Sequence, residues 1–128
     1  MRLLLDTHVV LWAALWPERL PGPASVLLTD PTNQLLFSVV CVWEVAIKRG
    51  LNRADFVVDP QQLRDDLLAN EYTELPITGQ HAVAVASLPL LHRDPFDRMM
   101  IAQALVEGVT FLTADPAMAG YKAPIRMI

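Results

Sequence analysis

The stretch Leu3-Leu4-Leu5-Asp6-Thr7-His8 decides how the rest of the chain is read. Three consecutive leucines without a polar alternation suit a strand buried on both faces, the usual state of a strand in a parallel sheet. Asp6-Thr7 closes the run, and the apolar segment Val9 to Trp16 continues as a helix. A carboxylate therefore falls at the carboxyl end of the first strand, the edge at which parallel α/β sheets bind their ligands.

The same strand-to-helix handover recurs further along. Pro17 to Pro23 breaks the first helix and Ala24 to Thr29 forms a second, so the two are expected as a helical hairpin. Gln34 to Ser38 is the next strand, and Val39 to Arg49 the helix after it, with Ser38 placed to cap its start and Gly50 at its end. Asp59-Pro60 opens an amphipathic helix through Asn70, followed by a short strand at Tyr72 to Leu75 and a helix from Gly79 to Ser87. Asp94-Pro95 starts a helix that runs to Glu107 and stops at Gly108. Thr110 to Thr113 is a strand that delivers Asp115 at its end, and Ile125 to Met127 a terminal strand. Alternating strands and helices predict an α/β fold, a three-layer α/β/α sandwich around a mainly parallel sheet.

With 128 residues the chain has the size of one domain, and no repeat, linker or low-complexity tract divides it. Hydrophobic residues make up 53% of it and the mean hydropathy is +0.33, more apolar surface than a small monomer is expected to hide, so part of the excess is assigned to a partner interface. The net charge of -4 provides no general basic field for a polyanion, which leaves that work to metal ions and local cations. A single cysteine, Cys41, excludes an intrachain disulfide and is consistent with a reducing cytoplasm. The N-terminus does not read as a signal peptide, and no run approaches the roughly 20 apolar residues of a membrane span.

Asp6 and Asp115 each follow a strand, so both project from one edge of a parallel sheet. Glu44 is the only residue charged at neutral pH between Val39 and Ile47, where a carboxylate must be paired, hydrated or bound to metal. Asp97 lies in the first turn of the helix that Pro95 begins, where the helix dipole favours negative charge. Carboxylates meeting in one cleft repel, a pair at 4 Å by on the order of 4 kcal/mol at an effective dielectric of 20. A divalent cation removes the conflict, and an all-oxygen donor set selects Mg²⁺ or Mn²⁺ over Zn²⁺. Such an ion activates water toward a phosphodiester, a hydrolysis with no protein nucleophile that leaves 5′-phosphate and 3′-hydroxyl ends.

Four segments together, Leu4-Leu5-Asp6-Thr7-His8, Ser38 to Lys48 with Trp43-Glu44, His92 to Arg98 with Asp94-Pro95-Phe96-Asp97, and Thr113-Ala114-Asp115, resemble the PIN-domain toxins of the VapC type from Leu3 to about Tyr121. The resemblance implies one PIN-like nuclease domain over residues 1–128, acting as the endoribonuclease toxin of a toxin-antitoxin pair. It also implies Mg²⁺ dependence, inhibition by a VapB-type antitoxin and frequent homodimerisation. By the same resemblance Asp6, Glu44, Asp97 and Asp115 form the acidic site and Thr113 supports it through its hydroxyl. Cys41 stands where relatives often have a second serine, which leaves Ser38 as the hydroxyl of that turn.

Simpler roles exist for each residue. Asp6 can cap the first helix; Glu44 can pair with Lys48 at (i, i+4), worth only about 0.2 to 0.5 kcal/mol on an exposed helix. Asp94 fits the cap of its helix better than the site, though it lies close enough to touch a metal-bound water. Asp115-Pro116 has a cap signature that Asp30-Pro31 and Asp59-Pro60 share. His8, His81 and His92 show no metal-ligand spacing and read as structural, His92 being the one placed to approach substrate. Arg93, Arg98 and Lys48 read first as surface charges or carboxylate partners, and Trp12, Trp16 and Trp43 as core or interface. Two rival functions follow: a phosphatase or phosphoaspartate receiver using Asp6 as nucleophile, disfavoured by His8 in place of a second acid, and a non-catalytic binding protein whose acids only cap helices.

Overall fold

The computed structural model describes residues 1–51 and 57–128. Its five strands are β1 (Arg2–Leu5), β2 (Gln34–Ser38), β3 (Thr73–Leu75), β4 (Thr110–Thr113) and β5 (Ile125–Met127). They form one sheet in the order β3-β2-β1-β4-β5, with every pair parallel. Six helices flank it: α1 (Thr7–Leu15), α2 (Gly22–Thr29), α3 (Val39–Gly50), α4 (Pro60–Ala69), α5 (Gly79–Ala84) and α6 (Pro95–Glu107). The expected α/β architecture is thus present, with a sheet that is wholly rather than mainly parallel. No helix among the described residues is long and apolar enough to cross a membrane.

The leucine run explains the centre of the sheet. Leu3, Leu4 and Leu5 are each completely buried, and they alternate between the two faces. Leu3 and Leu5 pack with Val9, Val10, Phe37, Leu63, Leu67 and Leu112, which is the face covered by α1 and α4. Leu4 packs with Leu36, Met100, Ile101, Ala104 and Phe111 on the face covered by α6. Each fully buried leucine contributes about 1.5–3 kcal/mol, so a strand with no polar face is stable only where both sides are covered. α3 spans the two layers: Val40 joins the α6 side, Cys41 and Val45 the α1 side.

Several local boundaries shift by a turn for visible reasons. α1 begins at Thr7, directly after the strand, because Asp6 itself caps it. The helix expected to reach Ser87 ends as α-helix at Ala84 and tightens into a 3₁₀ turn over Val85–Ser87 before Pro89. Gly108 closes α6 in the left-handed conformation, φ 64°, that favours glycine. The Asp-Pro pairs diverge. Asp59, Asp94 and Asp115 cap a following helix or 3₁₀ turn, whereas Asp30 ends α2 and accepts from the backbone and hydroxyl of Thr32.

The strand order reverses at β1. The chain runs outward from β1 to β2 and β3, then returns to place β4 on the other side of β1 and β5 beyond it. Connections leaving in opposite directions open a crevice at the carboxyl ends of β1 and β4, the position where open α/β sheets bind ligands. Leu5 lies opposite Leu112 in that register, so Asp6 and Thr113 emerge side by side.

Candidate active site

Asp6 is 3% exposed and both of its carboxylate oxygens are engaged. Oδ1 accepts from the Thr7 backbone N–H at 2.7 Å, and Oδ2 from the Thr113 hydroxyl at 2.7 Å. The Asp6 backbone N–H in turn donates to the Leu112 carbonyl across the β1–β4 pair. The neighbouring hydroxyl of Thr7 donates to Glu44 Oε1 at 2.7 Å, tying the start of α1 to the middle of α3. Glu44, 4% exposed, is held through its other oxygen by Lys48 Nζ at 2.7 Å. The simple ion pair and the site position are therefore both present: burial turns a weak surface pair into a clamp on a carboxylate beside Asp6.

α6 brings the third carboxylate. Asp94 caps the helix, accepting from the N–H groups of Phe96 at 2.9 Å and Asp97 at 3.3 Å, and Asp97 follows in the first turn. His92 Nε2 lies 2.8 Å from Asp97 Oδ2. His92, Asp94 and Asp97 each offer a donor atom, all within 4.8 Å of one another, a grouping suited to a metal ion. His92 is the residue that spacing arguments undervalued. It sits in the loop before the cap, five positions from Asp97, and no periodic element announces that contact.

Electrostatics shows which of these groups share one field. Asp97 is pushed up to about 7, first by burial and then by the negative charge of Asp6, with Asp94 and Glu44 adding to it and His92 opposing it. Asp6 is also raised, again chiefly by burial, with Glu44 adding and Thr113, Thr7 and His8 opposing. Asp115 is joined to Asp6 through the Thr113 hydroxyl. It caps the Pro116–Gly120 turn by accepting from Ala117, and its N–H donates to the Thr113 hydroxyl at 3.1 Å. With Asp6, His8, Trp12 and Ala114 it lines a separate shallow cavity of about 250 Å³. The structure thus brings Asp6, Glu44 and Asp94 into the field around Asp97, and places Asp115 beside Asp6 through Thr113 and a shared cavity.

The remaining candidates act at a distance. Ser38 is fully buried; its hydroxyl accepts from Val40 N–H and donates to Gln103 Oε1, joining the start of α3 to α6 without touching an acid. Gln103, also fully buried, donates to the Pro76 carbonyl as well. Burial pushes the Cys41 thiol up to about 12, with Glu44 and Asp6 adding to the effect, so it stays protonated at neutral pH. Arg98 donates to the carbonyls of Pro89, Val85 and Leu88 and is a brace for that loop. Arg93 is exposed. A larger cavity of about 530 Å³, lined by residues such as Ala13, Leu35, Asp66 and Tyr72, lies between helices away from the acids, and its size has no bearing on the chemistry.

The donor set fits a hard divalent cation. Buried carboxylates raise one another's proton affinity, and among the described residues no lysine or arginine pairs with Asp6 or Asp97. Oxygen donors dominate, and a protonated, buried Cys41 offers no thiolate to a softer ion.

Compared with known families, the sequence matches the PIN domain over residues 3–123. The chain belongs to the PIN-domain family. Among curated proteins, this PIN domain is 27% identical over 122 residues to Ribonuclease VapC22 of Mycobacterium tuberculosis, covering 94% of the chain and 92% of that protein. Among solved structures it is similar to VapBC2 from Rickettsia felis bound to a DNA fragment from its promoter, with a TM-score of 0.73, 12% identity, and coverage of 100% and 99% of the two chains. It is also similar to the DNA-bound VapBC from Salmonella typhimurium, with a TM-score of 0.65, 14% identity, and coverage of 100% and 97%. The resemblance to VapC-type proteins read from the four motifs therefore extends to the whole PIN fold.

Proposed function

We propose that this PIN domain is a Mg²⁺- or Mn²⁺-dependent endoribonuclease, acting as the toxin of a toxin-antitoxin pair. The observation that carries the reading is the placement of Asp6 and Asp97 at the switch crevice, Asp97 raised by burial and by the negative charge of Asp6, and neither paired with lysine or arginine among the described residues. In this reading Asp6 and Asp97 are the principal metal ligands. Thr113 aims Asp6, and His92 and Asp94 hold Asp97 at the start of α6. Glu44, fixed by Thr7 and Lys48, orients the attacking water or holds a second ion. Asp115 completes the acidic wall, and Ser38 supports it indirectly by securing α3 to α6. A divalent ion bound there supplies Lewis-acid charge to the phosphodiester and lowers the pKa of water.

Purified protein incubated with end-labelled RNA tests the proposal. Cleavage should require Mg²⁺ or Mn²⁺, stop with chelator, leave 5′-phosphate and 3′-hydroxyl ends, and vanish in Asp6→Asn. Absence of divalent-dependent cleavage would overturn it. The phosphatase alternative has less support, because an Asp6 that is 3% exposed and hydrogen-bonded through both oxygens is poorly presented for in-line attack.

The VapB-type antitoxin is supported by the relatives, since the similar solved structures are VapBC assemblies. Exposed Val26, Leu90, Leu91 and Val83 supply apolar surface for the antitoxin and for a homodimer. Coexpression with a VapB-type antitoxin, followed by copurification and size-exclusion with light scattering, tests both contacts.

A further inference from the structure

The cavity that Asp6 and Asp115 line has aromatic walls as well. His8 and Trp12 stand four residues apart on α1, on one face of the helix, with ring centroids 6.2 Å apart and planes tilted by 44°. The tilt keeps them from stacking fully on each other. The other two tryptophans are differently occupied: Arg19 covers the Trp16 ring at 4.8 Å, and Trp43 meets the edge of Phe96 at 5.2 Å. Trp12 is half-buried and fixed along α1, yet its aromatic partner among the described residues is the exposed His8 alone.

Size and charge restrict what enters. At about 250 Å³ the space falls below the ~300–1,000 Å³ of sites that enclose a drug-sized ligand, and suits one planar ring system. Its carboxylate rim, Asp6 and Asp115, repels a phosphate but not a neutral heterocycle. Asp6 belongs both to this cavity and to the acidic group with Asp97, so a phosphodiester at that group places the adjoining nucleotide at the cavity mouth.

Resting on the ribonuclease reading, we propose that this cavity receives one unpaired nucleobase next to the scissile phosphate, stacked on Trp12 with His8 at its edge. A paired base cannot leave its helix to fill the cavity without the cost of unstacking, so the cavity takes a base that is already unpaired. Trp12 is then a positioning and selectivity residue whose stacking tolerates any base.

The test maps the cleavage site of a single-stranded RNA and then scans abasic nucleotides through the two positions on each side of it. For the wild type, one abasic position should raise KM about 10-fold, within the range of a lost stacked base, with kcat changing less. Trp12→Ala should raise KM on the intact RNA by a similar factor and lose sensitivity to that abasic position, while Trp12→Phe restores most of both. A second readout independent of turnover is the fluorescence of Trp12 in a Trp16→Phe, Trp43→Phe background, which single-stranded RNA should quench and a fully paired duplex should not. If RNA is cleaved but Trp12→Ala remains as sensitive to every abasic position as the wild type, and Trp12 is not quenched, the base cavity is refuted and the nuclease stands. If no RNA is cleaved by any form, the nuclease reading fails; quenching by single-stranded RNA alone would then still support the cavity, and its absence would overturn it.

Discussion

The Thr113 hydroxyl donates to Asp6 Oδ2 at 2.7 Å across 107 residues of sequence. Thr113 ends β4 and Asp6 follows β1, so the contact exists only because those strands pair in parallel at the switch point. The same hydroxyl oxygen accepts from Asp115 N–H, which makes Thr113 the link between Asp6 and Asp115.

Thr113→Val keeps the shape and removes the hydroxyl. Leaving a buried carboxylate short of a donor is expected to cost about 1–3 kcal/mol of stability, read by urea denaturation. A ligand deprived of its orienting partner should bind Mn²⁺ about 10–100-fold more weakly by calorimetry. Thr113→Ser should recover most of both. An unchanged Mn²⁺ affinity in Thr113→Val would show that Asp6 needs no such support.

Asp97 produces a pH dependence of definite sign. Its proton is held to about 7 in the folded chain against an ordinary 3.8, so the native state binds protons more tightly than the unfolded one. Its contribution to stability is complete below about pH 4 and is lost as pH rises through about 7; Asp6, also raised, acts in the same direction. Glu74 and Asp30 are lowered and lose their contributions only at acid pH, outside this window. The metal-free protein should therefore show a Tm that falls between about pH 5 and 8, and Mg²⁺ or Mn²⁺, which needs the ionised carboxylates, should restore most at the upper end. Asp97→Asn should flatten the profile. A metal-free Tm that rises across the window would contradict this.

The acids should not be equivalent in kinetics. Asp6→Asn and Asp97→Asn are expected to lower kcat/KM by more than about 100-fold, beyond what loss of a residue merely supporting a metal ligand costs. Asp115→Asn should fall within about 10–100-fold, because Asp115 also caps the Pro116–Gly120 turn and adjoins Asp6 through Thr113. Equal losses at all three positions would place Asp115 among the principal ligands.

Lys48→Met separates clamp from surface pair. A surface ion pair contributes about 0–1 kcal/mol, and removing one partner of a buried pair costs about 3–5. Lys48 is one-third exposed while Glu44 is buried and keeps the Thr7 hydroxyl, so a loss of about 1–2 kcal/mol is expected in urea titrations with unchanged m-value. A loss below about 0.5 kcal/mol would mean that Thr7 alone suffices.

Much of the fold was legible because its signals are local. Leu3-Leu4-Leu5 can only be a covered strand, the Asp-Pro pairs at Asp59 and Asp94 can be read as caps, and Gly108 as a stop, since each depends on a few adjacent residues. Of the acids, Glu44 announced itself by standing alone on an apolar helix. His92 did not, because its role depends on how the loop before α6 folds back, and neither did Thr7, whose hydroxyl reaches a helix 37 residues away. Asp30-Pro31 shows how little the dipeptide carries alone, since here it serves a turn at the end of α2.

The sequence by itself determined the α/β class, the polar residues at the strand ends and the oxygen-rich donor chemistry, because hydrophobic periodicity, caps and side-chain type are properties of short segments. Only the tertiary structure decided that Asp6, Glu44 and Asp94 share the field of Asp97 while Asp115 lines a cavity with Asp6, His8 and Trp12. That division follows from strand order and helix placement, which set burial and the distances between charges, and Coulomb interaction and desolvation depend on nothing closer to the sequence than those distances.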